Sequence, residues 1–281
     1  MPLTDAQWAR IEPLLPDRTP KRGGRWRDHR EVIDAIAFKF QTGTQWVHLP
    51  EKYGNWRGVY NRLRMWAVDG TWERVFTALM AQAGADKELD WVVSVDSTIV
   101  RAHQHAAGAR KRGPQRPSRT TTPSAGGAGG LTTKIHLAAD GRCRPLAFVL
   151  TGGQAGDAPT SMDVMAGLLV PRRRGRPRTR PDVVMADKAY SSRAIRDHLS
   201  NRGIRAVIPV PADQRGHRLR RGSRGGRPPA FDRETYKQRN TVERCINRLK
   251  QWRGIATPYE KTATIYLAGL HIAGIFLRSA C

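Results

Sequence analysis

Two short apolar runs that each end in an aspartate constrain the fold of this chain most strongly. Residues 91–96 read Trp-Val-Val-Ser-Val-Asp, and residues 182–187 read Asp-Val-Val-Met-Ala-Asp. β-Branched residues favour strands, so each run predicts a buried strand with a carboxylate at its end. Three strands followed by alternating strands and helices predict a mixed α/β domain over residues 89–281. Its other predicted elements are strands at 131–138, 145–150 and 206–210 and helices at 195–199, 236–252 and 263–277.

The first 88 residues have helical periodicity instead. Thr4 and Gln7 form a capping-box pattern, and apolar side chains recur at helical spacing over 32–40 and 56–67. A helix, a turn and a helix with a polar face fit a helix-turn-helix that enters a DNA major groove. They fit a helical bundle with a solvated basic face equally well. We therefore predict an all-α, helix-turn-helix-like domain over residues 1–88, with a polar, DNA-contacting face formed by Arg57, Asn61 and Arg64.

The charge of the chain points to a polyanionic partner. The 49 Lys and Arg residues exceed the 24 Asp and Glu residues and give a net charge of +25, which favours nucleic acid first and an anionic membrane second. The longest apolar run, 265–277, is too short to span a membrane, and the N-terminus lacks the features of a signal peptide. The three cysteines show no CxxC spacing, which argues against a disulfide framework or a zinc site. We expect a cytoplasmic protein that acts on nucleic acid and not on a membrane.

Much of the positive charge lies in breaker-rich segments. Three of them, at 108–130, 172–180 and 215–229, fall within the predicted α/β domain, and a fourth lies near 21–30. The segment 172–180 alone contains six arginines. Such segments bury too little apolar surface to fold alone, so they are predicted to be loops. We interpret them as a track that holds DNA over the carboxylates.

The two aspartates at the predicted strand ends are candidates for metal binding. No acidic residue occurs between Ser97 and Ala139, which makes the position of Asp96 conspicuous. Two buried carboxylates that lie close together repel each other, and a divalent cation removes that repulsion. Asp96 or Asp187 taken alone is more simply explained as a turn residue or a helix cap.

A third acid lies on the helix predicted from Tyr236 onward. At about 100° per residue, a set of four side chains falls within about 60° on one face of that helix. The face places a carboxylate between two cations, which is also what an ordinary surface helix with an i,i+4 ion pair shows. The four residues are Tyr236, Arg239, Glu243 and Lys250.

These residues match a family signature without deviation. The spacing is Y-x2-R-x3-E-x6-K, and it accompanies Val-Asp-Ser-Thr at 95–98, Gly-Gly-Leu-Thr-Thr-Lys-Ile-His at 129–136 and Asp-Lys-Ala-Tyr at 187–190. In these blocks the chain resembles the DDE transposases of bacterial insertion sequences, in particular the insertion sequence five family. The resemblance covers nearly the whole length.

The resemblance implies a fold, a chemistry and partners. It implies an RNase H-like, mixed five-stranded sheet with flanking helices, and a transposase that cuts DNA at the terminal inverted repeats and joins the 3′-OH to target DNA. Asp96, Asp187 and Glu243 would hold two Mg²⁺ ions, with Mn²⁺ as a substitute, while Tyr236, Arg239 and Lys250 would contact DNA. A homodimer in the DNA complex and a nucleoid-associated location in a bacterium follow from the same resemblance.

Two alternatives and several other polar residues stay open at this stage. The same core could belong to an RNase H-like nuclease without strand transfer, or to a catalytically silent DNA-binding regulator. The histidines near the motifs fit structural or phosphate-side roles better than metal binding, and Asp157 is a candidate for an additional carboxylate beside the metals. These histidines are His103, His105 and His136.

Overall fold

The computed structural model describes residues 2–17, 26–107, 125–127 and 130–279. The predicted basic segment at 108–130 therefore lies outside the described residues, apart from 125–127 and 130, as does the first half of the stretch near 21–30. The side chain of His105 is also outside the described part.

The N-terminal region is helical, as predicted. In its described part the α-helices are α1 (Asp5–Ile11), α2 (His29–Thr42), α3 (Trp56–Val68) and α4 (Thr71–Ala85). Thr4 and Gln7 form the predicted capping box, with the Gln7 backbone N–H donating to Thr4 Oγ1 at 3.2 Å. Helix α2 ends at Gly43, whose φ of 70° is the left-handed conformation that favours glycine.

Helices α2 and α3 are joined by a connection longer than the tight turn of a helix-turn-helix. Residues 43–55 separate them and include two 3₁₀ turns, whereas three or four residues form the usual turn. Aromatic contacts hold the longer connection in place: Trp46 packs against Tyr60 at a centroid distance of 5.4 Å, and Tyr53 packs against Phe38 at 5.1 Å. The tighter connection is between α3 and α4, where only Asp69 and Gly70 intervene.

A mixed sheet forms the centre of the rest of the chain. Strands β1 (Val92–Arg101), β3 (Gly130–Ala139) and β4 (Pro145–Gly152) form an antiparallel unit, and β5 (Val183–Ala186) and β6 (Arg205–Val207) extend it in parallel from the β1 side. The spatial order is β4-β3-β1-β5-β6. These are the five predicted strands in the RNase H-like arrangement. A short additional strand, β2 (Ala125–Gly127), pairs with the start of β3.

Helices cover both faces of the sheet. The Ser94 hydroxyl lies 3.1 Å from that of Thr241, whereas Ser97 Oγ donates to Asp157 at 2.5 Å. Because residues 94 and 97 point to opposite faces of a strand, α10 and α6 flank β1 from opposite sides. The remaining helices are α5 (Gln104–Ala107), α6 (Asp157–Ala166), α7 (Arg193–Asn201), α8 (Ala212–Arg220), α9 (Arg233–Lys237), α10 (Asn240–Lys250), α11 (Arg253–Ala256) and α12 (Ala263–Ser279).

The N-terminal helices and the sheet share one large hydrophobic core. Phe40 of α2, Trp66 of α3, Val95 of β1 and Leu270 of α12 all belong to it. A buried ion pair between Lys39 and Glu260 adds a polar contact between α2 and the segment before α12. No helix among the described residues is long and apolar enough to cross a membrane.

Two predicted elements that follow β6 differ from the structure. The helix predicted from Tyr236 to Trp252 is interrupted, because α9 ends at Lys237 and α10 begins at Asn240. The segment predicted as a loop at 215–229 is helical at its start, since α8 runs to Arg220. Gln214 holds α8 in place by donating from Nε2 to the Ser191 carbonyl at 2.6 Å, a tertiary contact that the local sequence did not reveal.

Candidate active site

The sheet places the two predicted aspartates side by side. In the parallel pairing of β1 with β5, Val95 is the partner of Ala186. Asp96 and Asp187 are the next residues along these two strands, so the two carboxylates lie side by side on neighbouring strands. This juxtaposition follows from strand register, and the local sequence alone could not define it.

Asp96 lies in a partly buried position in the middle of β1, so the prediction that this strand ends at Asp96 is wrong: pairing with β3 continues the strand to Arg101. Its Oδ1 accepts a hydrogen bond from the Ser97 backbone N–H at 2.8 Å, and its side chain is 20% exposed. Burial raises the pKa of Asp96 above its usual value, and the nearby charges of Asp187 and Glu243 act in the same direction. The charged form of Asp96 therefore needs a compensating cation.

Asp187 is more open and caps a short turn. It precedes a 3₁₀ turn over Lys188–Tyr190, and its Oδ1 accepts a hydrogen bond from the Ala189 backbone N–H at 2.9 Å. The same residue therefore has a structural explanation as a cap, as its position at a strand end allows. Only one of its two oxygens is engaged by this bond.

Arg239 joins the third acid to the pair. Its Nη2 donates to Asp96 Oδ2 at 2.8 Å, and its Nη1 donates to Glu243 Oε1 at 2.6 Å. The Arg239 side chain is 17% exposed, whereas that of Glu243 is 49% exposed. The guanidinium therefore bridges a carboxylate of the sheet and one of α10, and it supplies the positive charge that Asp96 requires.

The break between α9 and α10 sets the direction of this guanidinium. Backbone bonds across the break span three residues, from Arg239 N to Tyr236 O at 2.9 Å and from Val242 N to Arg239 O at 3.2 Å. The predicted common face therefore holds for Glu243 and Lys250 on α10, while Tyr236 lies on the separate helix α9. The interaction of Arg239 with Asp96 was not part of the sequence prediction, because it depends on tertiary contact.

Tyr236 lies close enough to the carboxylates to interact with their charges, whereas Lys250 lies farther along α10. Tyr236 packs near Phe231 at a centroid distance of 5.2 Å and against the buried end of β5. Burial raises the pKa of the Tyr236 phenol, and the charges of Asp187, Glu243 and Asp96 contribute to the same shift. Lys250 ends α10, seven positions beyond Glu243.

A second polar cluster lies on the opposite face of β1. Asp157, at the start of α6, accepts hydrogen bonds from Ser97 Oγ at 2.5 Å and from Lys134 Nζ at 3.0 Å. Burial alone would raise the pKa of Asp157, but these two hydrogen bonds and the charge of Lys134 lower it overall. Lys134 lies in the Gly-Gly-Leu-Thr-Thr-Lys-Ile-His block, which is the signal that could have identified it.

The other predicted residues lie on α3 and on or after β1 and β3, and His136 Nδ1 is 3.7 Å from Asp157 Oδ1. Arg57, Asn61 and Arg64 are exposed on one face of α3, as the periodicity predicts. The His103 ring stacks on Tyr259 at a centroid distance of 4.3 Å. His136 Nε2 lies 2.8 Å from Thr151 Oγ1, and burial lowers the pKa of the imidazole. Both histidines thus have structural contacts.

The donor set suits a hard divalent cation, although the side chains are not gathered around one point. Among the described residues, no group of three His, Cys, Asp or Glu side chains is positioned to hold a metal ion. Three carboxylates nevertheless lie at one edge of the sheet, where burial and the charges of Asp187 and Glu243 raise the pKa of Asp96, and carboxylate oxygens are the ligands that hard divalent cations prefer. In the structure Arg239 supplies positive charge at this edge, so the residues fit a metal once the Arg239 contacts open.

An RNase H-like sheet that presents three carboxylates beside basic side chains defines a class of enzymes that act on phosphodiester bonds. Comparison with known proteins agrees with this assignment. The chain matches the family model "Transposase DDE domain" over residues 87–275 and the model "Putative transposase of IS4/5 family" over residues 3–76. The chain therefore belongs to the DDE transposase family and is an enzyme of DNA transposition. Membership implies a DNA partner and dependence on a divalent metal.

Individual relatives cover parts of the chain. A "Putative transposase for insertion sequence element IS6501" from Brucella ovis is 28% identical over 51% of this chain and 95% of its own length. An "Uncharacterized protein y4sN" from Sinorhizobium fredii is 38% identical over 39% of this chain and 83% of its own length. A pre-cleavage Mos1 transpososome structure aligns over 84% of this chain and 81% of its own, at 15% identity and a TM-score of 0.27, which is too low to carry an argument.

Proposed function

We propose that this transposase binds the terminal inverted repeats of its element, hydrolyses a phosphodiester bond at each end and joins the freed 3′-OH to target DNA. Asp96, Asp187 and Glu243 would hold two Mg²⁺ ions, for which Mn²⁺ can substitute. The observation that carries the proposal is the meeting of Asp96 with Asp187 across β1 and β5, together with the Arg239 bridge from Asp96 to Glu243.

The protein contributes rigidity and charge to this chemistry. Divalent cations held by carboxylates activate the attacking oxygen and stabilise charge on the leaving oxygen. Asp96 is fixed in position because β1 pairs with β3 on one side and with β5 on the other. Glu243 projects from α10, which the Ser94–Thr241 contact holds against the sheet, and its half-exposed side chain faces an approaching phosphate.

Arg239 has two successive partners in this proposal. Without DNA its guanidinium neutralises Asp96 and Glu243. Guanidinium groups also bind phosphate through paired hydrogen bonds, so a DNA phosphate at this edge competes for Arg239. The exchange releases Asp96 for metal binding when the substrate is present.

The remaining DNA contacts follow from exposure and position. Tyr236 and Lys250 would contact phosphates of the transposon end. Arg57, Asn61 and Arg64 would contact the terminal repeat from the helical domain at 1–88, while residues 89–281 perform catalysis. A homodimer would place one catalytic site at each of two ends.

The proposal is tested with the full chain and a linear duplex that carries one transposon end. Asp96→Asn, Asp187→Asn and Glu243→Gln are each expected to abolish Mg²⁺-dependent cleavage while the end duplex is still bound. Asp197→Asn is the matched control, because Asp197 is an exposed acid on α7 outside the site. Cleavage products are followed on denaturing gels, and joining is followed with a supercoiled target plasmid.

Each outcome decides between the proposal and its alternatives. Cleavage that survives any of the three substitutions would remove that residue from the catalytic set. Cleaved ends that are never joined to the plasmid would indicate a nuclease without strand transfer. Tight end binding with no cleavage in Mg²⁺ or Mn²⁺ would indicate a silent DNA-binding regulator.

A further inference from the structure

An arginine-rich loop at residues 171–181 lies at the end of the sheet opposite to the carboxylates. The loop leads into β5 through Asp182, whereas Asp187 follows β5. At about 3.3 Å per residue, the five steps from Asp182 to Asp187 correspond to about 17 Å. The interpretation of every basic segment as part of one track over the carboxylates is therefore wrong for this loop, because strand direction places it at the far edge.

The base of the loop is fixed. Val170 and Arg178 exchange two backbone hydrogen bonds of 2.9 and 2.8 Å, and Gly175, with φ of 85°, allows the chain to reverse. The Arg178 guanidinium lies 4.0 Å from the Trp91 ring centroid and donates to Asp182 at 2.7 Å. One arginine thus anchors the loop to the start of β1 and β5.

Arg180 donates to the Arg202 carbonyl at 3.4 Å, whereas the other four arginines of the loop project without partners among the described residues. Arg172, Arg173, Arg174 and Arg176 are exposed, and none forms a hydrogen bond or an ion pair with the part of the chain that the structure describes. No acidic residue occurs from 171 to 181. A surface cavity of about 370 Å³ lies in this loop and is lined by Arg172, Arg176, Pro177, Arg178, Thr179 and Arg180.

An ordinary solvated run of arginines does not account for the closed, concave form of this loop. Like charges held close together repel, and here a closed backbone bridge and a stacked Trp91 keep them together. A concave surface lined by several guanidinium groups binds phosphate oxygens with paired hydrogen bonds. The ligand that such a surface would bind is therefore a run of phosphates, and the loop itself contains no acid that would compete for the four exposed arginines.

A separate group of arginines lies at the catalytic edge. Helix α8 follows β6, which runs parallel to β5, so α8 leaves the sheet at the edge where Asp187 lies. It carries Arg215, Arg218 and Arg220. The two groups thus occupy opposite ends of the same strands and are placed to contact different duplex segments.

We propose that the loop at 171–181 is a second duplex-binding surface, which holds DNA by its phosphates while the duplex being cut occupies the catalytic edge. This inference rests on the proposed function, because an enzyme that joins an end to a target must hold two duplexes. Contacts to phosphates carry no base sequence, so the loop binds duplexes of any sequence.

The size of the effect follows from the number of exposed arginines. Each neutralised phosphate contributes about −0.9 to the slope of log K against log salt. Four arginines that each engage one phosphate would therefore account for about −3.6 of the slope.

The experiment compares two fourfold variants of the full chain that lose the same charge. In the first, all four exposed arginines of the loop are replaced, and in the second, four exposed cations scattered over the surface are replaced. Binding to a duplex without transposon ends is measured by fluorescence anisotropy over a series of salt concentrations. The loop variant is Arg172→Gln, Arg173→Gln, Arg174→Gln and Arg176→Gln, and the control is Lys52→Gln, Arg142→Gln, Arg193→Gln and Lys261→Gln.

For the loop variant, the slope of log K against log salt is expected to become less negative by about 3 to 4, and for the control by much less. Sedimentation at saturating short duplex is expected to show two duplexes per protomer for the wild-type chain and one for the loop variant. Equal slopes and equal stoichiometry for the loop variant and the wild type would overturn the proposal. Neither measurement needs cleavage, so a failure of the proposed catalytic function would be seen separately.

Discussion

Replacing Arg239 by alanine tests whether this side chain supplies the positive charge that a bound metal would otherwise supply. Arg239 is 17% exposed and bonds Asp96 at 2.8 Å and Glu243 at 2.6 Å. A hydrogen bond to a charged group contributes about 1.5–3 kcal/mol. The bond to Glu243 contributes less, about 0–1 kcal/mol, because Glu243 is 49% exposed and solvent screens the pair.

The Arg239–Asp96 bond therefore opposes metal binding by about 1.5–3 kcal/mol. Since about 1.4 kcal/mol corresponds to a tenfold change in affinity, Arg239→Ala should bind Mn²⁺ about 10- to 150-fold more tightly than the wild type when DNA is absent. Metal affinity is measured by titration calorimetry with Mn²⁺, and circular dichroism verifies that the variant is folded.

Lys250→Ala provides the control for this prediction. Lys250 is a cation of the same helix, and it has no hydrogen bond or ion pair with the described residues. Its loss should change Mn²⁺ affinity by less than about threefold, because the net charge falls but no carboxylate is released. Unchanged or weaker Mn²⁺ binding by folded Arg239→Ala would refute the reasoning.

Three further predictions concern stability and pH. Lys39→Met should lower the free energy of unfolding by about 3–5 kcal/mol in urea titrations, because it leaves the buried Glu260 carboxylate unpaired, and adding Glu260→Leu should restore most of the loss. His271 is buried and its pKa is lowered from 6.5 to about 4, so only the unfolded chain binds a proton between these values. Stability should therefore fall by about 3 kcal/mol as the pH drops from 6.5 to 4, and His271→Phe should remove that part of the pH dependence. Asp157→Ala should lower Tm and cost about 1–3 kcal/mol, because Lys134, 12% exposed, loses its carboxylate partner; an unchanged Tm would contradict this role.

Local patterns in the sequence predict most of the strands and helices of the fold. Alternating and continuous apolar runs predict all five main strands, since burial on the sheet requires that pattern. Thr4 with Gln7, and Gly43, predict the limits of helices because caps act through neighbouring backbone groups. The short strand β2 was not predicted, since Ala-Gly-Gly at 125–127 has no strand propensity.

The sequence also identified the three acids, but not their arrangement. Asp96 and Asp187 are adjacent because β1 and β5 pair in one register, and their separation of 91 positions in the chain gives no sign of it. The break before Asn240 and the contact of Arg239 with Asp96 arise together, since the turn of the chain lets the guanidinium reach the strand. Helix periodicity assumes an unbroken helix, so it could not foresee this bridge.

The sequence by itself determined that the chain carries a large positive charge, two aspartates that each follow an apolar run, and a glutamate flanked by cations. Composition and local periodicity are sufficient for these features, because they depend on neighbouring residues. Only the tertiary structure decided where the charge lies. Strand direction sends the loop at 171–181 to one end of the sheet and α8 to the other, and linear order along the chain does not specify on which end a connection falls.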